Sequence, residues 1–157
     1  MTRALSPDII RRAAANLLKK VSAARQHPRD FFELAAREEH TRARLTCAPH
    51  QRVLLDFVAA HRMSVVRIFA GGSKTYSLAY LALHCLGNDR TGRGAIIGAT
   101  AGSASKVLSV IRDAIEDQRN EFPEVHAVFP TLAPSPLLSD PWGQNRIVVD
   151  RPAGIRD

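Results

Sequence analysis

The feature that most constrains the fold is a change of hydrophobic period at Ser64. Before it, apolar residues recur at helical spacing. After it, short β-rich runs alternate with helical stretches. Val65, Val66, Ile68 and Phe69 lie in the run SVVRIFA. A small-residue turn, Gly71-Gly72-Ser73, leads through Lys74-Thr75 into the helical stretch YSLAYLALHCLG. Gly87 to Gly92 reads as a loop. AIIGAT (95–100) is a second apolar run, and Gly102-Ser103 turns into a long helix. Ala104, Val107, Leu108, Ile111, Ala114 and Ile115 form that helix's inner stripe. RIVVD (146–150) is a third strand candidate. This order predicts an α/β domain with a mostly parallel sheet, incomplete at three strands. The Pro- and Ser-rich stretch from Pro123 to Pro141 is long for a connection and has room for a short strand or a helical turn.

The first part of the chain reads differently. Ser6-Pro7-Asp8 is a helix start, with a capping hydroxyl, proline at the first position and an acid in the first turn. Ile9, Ile10, Ala13, Ala14, Leu17, Leu18 and Val21 then form one stripe, with Arg11, Arg12 and Lys19 on the other side. The helix is expected to end near Pro28. RDFFELAAREE (29–39) reads as a short second helix. Pro49 starts a third, with Val53, Leu54, Phe57 and Val58 on its apolar face. The expected division is a basic helical segment over 1–44 and an α/β domain over 45–157.

Charge supports that division. The net charge is +7. Residues 1–62 hold twelve Lys/Arg against six Asp/Glu, whereas the rest of the chain holds ten against nine. A basic segment on a near-neutral domain points to a polyanionic partner, the plainer alternative being a solvated basic face. No run of roughly 18 apolar residues spans a membrane. The first residues have no apolar core before a small-residue cleavage site, which points away from secretion. Cys47 and Cys85 lie far apart without a Cys-x-x-Cys pair, so neither a zinc site nor a disulfide framework is expected. A reducing, cytoplasmic compartment fits. The six histidines are scattered and form no ligand spacing.

The segment richest in chemistry is Arg67-Ile68-Phe69-Ala70-Gly71-Gly72-Ser73-Lys74-Thr75. It follows an apolar run and opens a helix. Small residues there let successive N–H groups converge on phosphate oxygens, at the positive end of the helix dipole. Lys74 would reach the β- and γ-phosphates of ATP, and the Thr75 hydroxyl would ligate Mg²⁺. The usual Gly-x-x-x-x-Gly-Lys-[Ser/Thr] pattern has glycines where this chain has Ile68 and Ser73. The alternative is a glycine-rich turn carrying a surface lysine.

Three stretches together, APHQRVLLDFVAAHRMSVVRIFAGGSKTYSLAYLALHCLG, GAIIGATAGSASKVLSVIRDAIED and DPWGQNRIVVDRPAGIRD, resemble the ATPase domain of phage terminase large subunits. These are motors that pump double-stranded DNA into procapsids. The resemblance covers roughly residues 45–157 and implies a RecA-type P-loop fold. It implies nucleotide binding through Gly71, Gly72, Ser73, Lys74 and Thr75, with Gln51 on the adenine side and Arg67 as the arginine that senses the γ-phosphate. For Gln51 the alternative is a solvent-facing helix residue, and for Arg67 a side chain pointing off the strand into solvent. Ser103 and Lys106, at the second strand-to-helix turn, would lie near the nucleic-acid track, or be a plain cap and a surface lysine. Implied partners are DNA, the small terminase subunit and the portal protein, with a ring oligomer for the whole motor.

The acid pair that such a motor needs for Mg²⁺ and the attacking water is not evident. Asp150 ends an apolar run, but Arg151 stands where the catalytic glutamate is expected. The nuclease acids are absent too. The chain is therefore expected to be an N-terminal portion of a phage or prophage terminase large subunit. The alternative function is a non-enzymatic basic module, in which 1–44 binds nucleic acid or a protein and the P-loop is degenerate.

Overall fold

The computed structural model describes residues 6–38, 41–67, 69, 71, 73–137, 142, 143 and 145–152. These residues form six helices: α1 (Pro7–Gln26), α2 (Pro28–Ala35), α3 (Pro49–Ala60), α4 (Lys74–Asn88), α5 (Ala101–Glu116) and α6 (Pro123–Val128). Four of them open on proline, whose missing N–H costs nothing in the first turn. Ser6 caps α1 through its carbonyl, which accepts from Ile10 N–H at 3.1 Å, and its hydroxyl makes no cap bond. Helix α2 stops at Ala35, short of the expected 39. The chain turns back there, with Glu38 N–H on Ala43 O and Leu45 N–H on Ala36 O.

Helix α2 is the hub of the molecule, packed against α1, α3, α4 and α6. Its Phe31 and Phe32 are fully buried. Phe31 meets Phe129 at 5.3 Å and Tyr80 at 6.1 Å between ring centres, and Phe32 meets Tyr80 edge-on at 5.4 Å. Such tilted pairs add to the stabilisation that burial alone gives. Leu55, Leu83, Ile111, Ala114, Ile115, Val125, Val128 and Leu132 complete this cluster. The core thus draws on residues from both sides of the expected boundary at 44/45.

The expected parallel sheet is not present among the described residues. Only isolated antiparallel bridges occur: Arg37 with Arg44, Pro134 with Val149, and Trp142 with Ile147. The chain is helical, and the α/β reading is corrected accordingly. Residues 64–67 and 94–98 lie outside any helix, but no described residue pairs with their main chain. Their β propensity is local, whereas a strand also needs a neighbour and a face to bury. Val65 is 94% exposed and Ile97 93%. The apolar burial of this chain goes into helix–helix contacts instead. RIVVD does pair, but antiparallel.

Two expected helix faces also change. On α1 only Ala24 is buried, and Ile9, Ile10, Leu17 and Leu18 are exposed, with Val21 half-buried at the docked end. On α3 the buried residues are Gln51, Leu54 and Leu55, while Val53 and Phe57 face solvent. The inner stripe of α5 is as expected at Val107, Ile111, Ala114 and Ile115. The long Pro-rich stretch contains α6.

Candidate functional site

The turn before α4 has unusual backbone geometry. Gly71 has φ of 83° and Ser73 φ of 51°, both in the left-handed region. Gly71 adopts this freely, and Ser73 carries a Cβ there at a cost. Gly72, Ile68 and Ala70 lie outside the described residues. Ser73 stands at the N-cap of α4, and its carbonyl accepts from Ser77 N–H at 3.1 Å and Ser77 Oγ at 3.2 Å. Lys74 is the first helical residue. Its side chain bends back over the turn, and Nζ donates to Phe69 O at 2.7 Å. Thr75 is exposed in the next position.

Gln51 is not on a solvent face. It is buried, its Oε1 accepts from Ala48 N–H at 2.8 Å, and its Nε2 donates to Ser77 Oγ at 3.3 Å. Its amide therefore closes the first turn of α3 and ties α3 to α4, immediately behind the Ser73 carbonyl. Arg67 is exposed and lines a cleft of about 520 Å³ between α3 and residues 65–69, with His50, Val53 and Phe57. His50 packs edge-on against Phe69 at 5.1 Å, and its Nε2 is buried with no hydrogen-bond partner. Nothing in the sequence singled out His50, because its relation to Phe69 depends on how α3 meets the turn.

The other candidates lie elsewhere. Ser103 is the third residue of a reciprocal cap. Its N–H donates to Thr100 Oγ1 at 3.2 Å, and its Oγ accepts from Thr100 N–H at 3.1 Å. Lys106 is exposed one turn on. Asp150 faces Arg90, whose Nη1 lies 3.9 Å from the carboxylate and also donates to the Asp150 carbonyl at 3.3 Å. Arg11, Arg12 and Lys19 are exposed on α1. The described residues contain no group of three or more His, Cys, Asp or Glu able to hold a metal ion. Among the described residues, Thr75 is therefore not part of such a group.

Burial dominates four shifted groups along α4 and before α3. Burial raises the Tyr80 hydroxyl to about 12, although Tyr80 accepts the Arg37 N–H at 3.1 Å. Burial lowers His84, against hydrogen bonds that the backbone of Arg25 and Ala24 makes with its ring, the Arg25 carbonyl accepting. Burial raises the thiols of Cys47 and Cys85.

No protein-family model matches the chain, and neither does any curated protein or solved structure. No helix among the described residues is long and apolar enough to cross a membrane.

Proposed function

We propose that the chain binds the triphosphate of ATP at the Gly71–Thr75 turn, as the nucleotide-holding part of a DNA-packaging motor of the terminase large-subunit type. The observation that carries this reading is the pair of left-handed residues, Gly71 and Ser73, directly before the 15-residue α4, with Lys74 bent over them. Left-handed residues before a helix can turn backbone N–H groups toward an anion, which then also meets the positive end of the helix dipole. Exchanging the Phe69 carbonyl for a phosphate oxygen gives Lys74 a stronger, charge-assisted partner. The cleft lined by His50, Phe57 and Arg67 offers space for the base. This reading rests on the local geometry of the turn and on the resemblance of the motif residues.

Hydrolysis is not part of the proposal, since no acid set accompanies Thr75 among the described residues. In the motor reading the partners are double-stranded DNA, the small terminase subunit and the portal, in a ring working in the host cytoplasm. Titration of the chain with ATP should give weak binding and no turnover. Lys74→Ala should weaken that binding by about tenfold or more, equivalent to roughly 1.4 kcal/mol. Equal affinity in the variant would remove the turn as the site.

The exposed cations of α1 favour a second reading, a basic nucleic-acid-binding module. Arg11, Arg12 and Lys19 have no acidic partner among the described residues. The two readings are compatible, because they use different parts of the surface.

A further inference from the structure

A cavity of about 730 Å³ lies over α4 and α5, within the size range of ligand sites. Ala82 and Leu86 of α4 and Leu108 and Ile111 of α5 form its apolar floor. Ile96 lines it from the 94–98 segment, and Ile147 and Val149 line it from the 146–150 segment.

The main chain on both sides is what gives the cavity its character. Residues 147–150 are hydrogen-bonded along one edge only. Ser135 N–H donates to Val148 O at 2.9 Å, Asp150 N–H to Ala133 O at 2.8 Å, and Gly143 N–H to Arg146 O at 2.9 Å. Both bridges, Pro134 with Val149 and Trp142 with Ile147, are therefore the non-hydrogen-bonded kind of antiparallel pair. In that pairing the N–H and C=O of Ile147 and Val149 point to the opposite edge. No described residue pairs with them, and none pairs with the main chain of 94–98. Two segments with unused hydrogen-bonding groups thus line one apolar cavity. Such edges are templates for an added strand.

Charge narrows the occupant. Four arginines, Arg90, Arg93, Arg146 and Arg151, line the cavity with Asp89, and Asp150 stands beside Arg90, so cations outnumber carboxylates there. We infer that this is a docking slot for an extended apolar peptide segment of a partner protein, bearing an acidic end. Its main chain bonds to the edges of Ile147–Val149 and Gly94–Ile96. Its alternate side chains fill the floor over Leu108 and Ile111, and its carboxylates meet the arginines.

The probe is a short capped peptide that alternates valine and threonine and ends in two aspartates, with a control ending in two lysines. Amide hydrogen exchange of the full chain should slow by about tenfold or more at Gly94–Ile96, Ile147 and Val149 when the aspartate peptide is added. Alkylation of Cys85, which lines the cavity, should slow with it, while buried Cys47 serves as the internal reference. The lysine peptide should bind about tenfold more weakly, and Arg93→Glu with Arg146→Glu should reverse that order. No slowed exchange at saturating peptide overturns the slot. Protection of Cys85 by dodecanoate without any change in exchange would give the cavity to a small amphiphile instead. Protection that grows with protein concentration alone would give it to a second copy of this chain. Equal binding of the two peptides overturns the acidic end.

Discussion

Glu124 is the residue on which the connector between α2 and α3 hangs. Arg37 Nη2 lies 2.5 Å and Arg44 Nη2 2.6 Å from its Oε1, and Arg42 reaches neighbouring Glu121 at 2.9 Å. Burial opposes the charge on Glu124, but the hydrogen bonds from Arg44 and Arg37 outweigh it and hold the carboxyl below its ordinary 4.5. A depressed carboxyl stabilises the fold above its unfolded value, and that contribution fades as pH falls through the folded one. Glu124→Gln should therefore cost about 2 kcal/mol at neutral pH, because two guanidinium groups lose their counterion. The gap between wild type and variant in urea titrations should close in acid. His84 acts in the same sense, since its lowered value favours the neutral ring and acidification must charge it. None of this was legible in the sequence: Arg37 and Glu124 are 87 positions apart, and only the fold brings them together. The turn before α4 was legible as a small-residue break, because it is local to the chain. Ser73→Gly tests that geometry. It should relieve left-handed strain and raise stability by about 0.5–1 kcal/mol, while Lys74-dependent ATP binding persists. A loss of stability would mean that the Ser73 side chain holds the turn.

Among the elements, helices were readable and pairings were not. Proline at the first position marks α1 and α3, and the turn at Gly102-Ser103 marks α5, so these starts follow from residues in contact along the chain, whereas α6 was hidden in a stretch that reads as irregular. The stripe of α5 was readable for the same reason. The apolar runs at 64–69 and 95–98 have strand composition, yet what makes a strand is a neighbour supplied from elsewhere in the chain. The exposed stripe of α1 shows the converse. Its periodicity promises a buried face, but only its last turns reach α2 and α6, where Arg25 donates to Val128 O through Nε at 3.1 Å and Nη2 at 2.5 Å. The contact between α4 and Phe129, just past the end of α6, gives a sharp test of packing. A Cβ on Gly87 would stand 2.4 Å from the Phe129 ring, which itself packs on Phe31 and His84. The ring cannot yield without disturbing that cluster. Gly87→Ala should cost about 2 kcal/mol by overpacking, despite alanine's better helix propensity. A thermal midpoint at or above wild type would show that Phe129 swings clear.

At the scale of the molecule, charge and packing separate along α1. The C-terminal turns of the helix belong to the core, and its N-terminal turns stand out from it, so the exposed Arg11, Arg12 and Lys19 can approach a polyanion without disturbing Phe31, Phe32 or Tyr80. Ile10 and Leu17 are exposed as well, so a partner protein is the natural rival for this surface. The two are distinguished by salt. Contacts to DNA phosphates release counterions, and the logarithm of affinity falls with that of salt by roughly 0.9 per contact on duplex. Reversing all three cations to glutamate should weaken binding to every duplex sequence about equally and flatten the slope by up to about 2.7, the sum for three contacts. The fold should be retained, since none of the three reaches the core. Ser103 is spent on its cap and offers little to phosphate, so Lys106 is the main cation at that second turn. Lys106→Glu should therefore change the slope by no more than about 0.9. An unchanged affinity and slope in the triple variant would remove α1 from the DNA surface. The exposed stripe of Ile9, Ile10, Leu17 and Leu18 would then be read as a protein-docking face, with the basic residues as its solvated back.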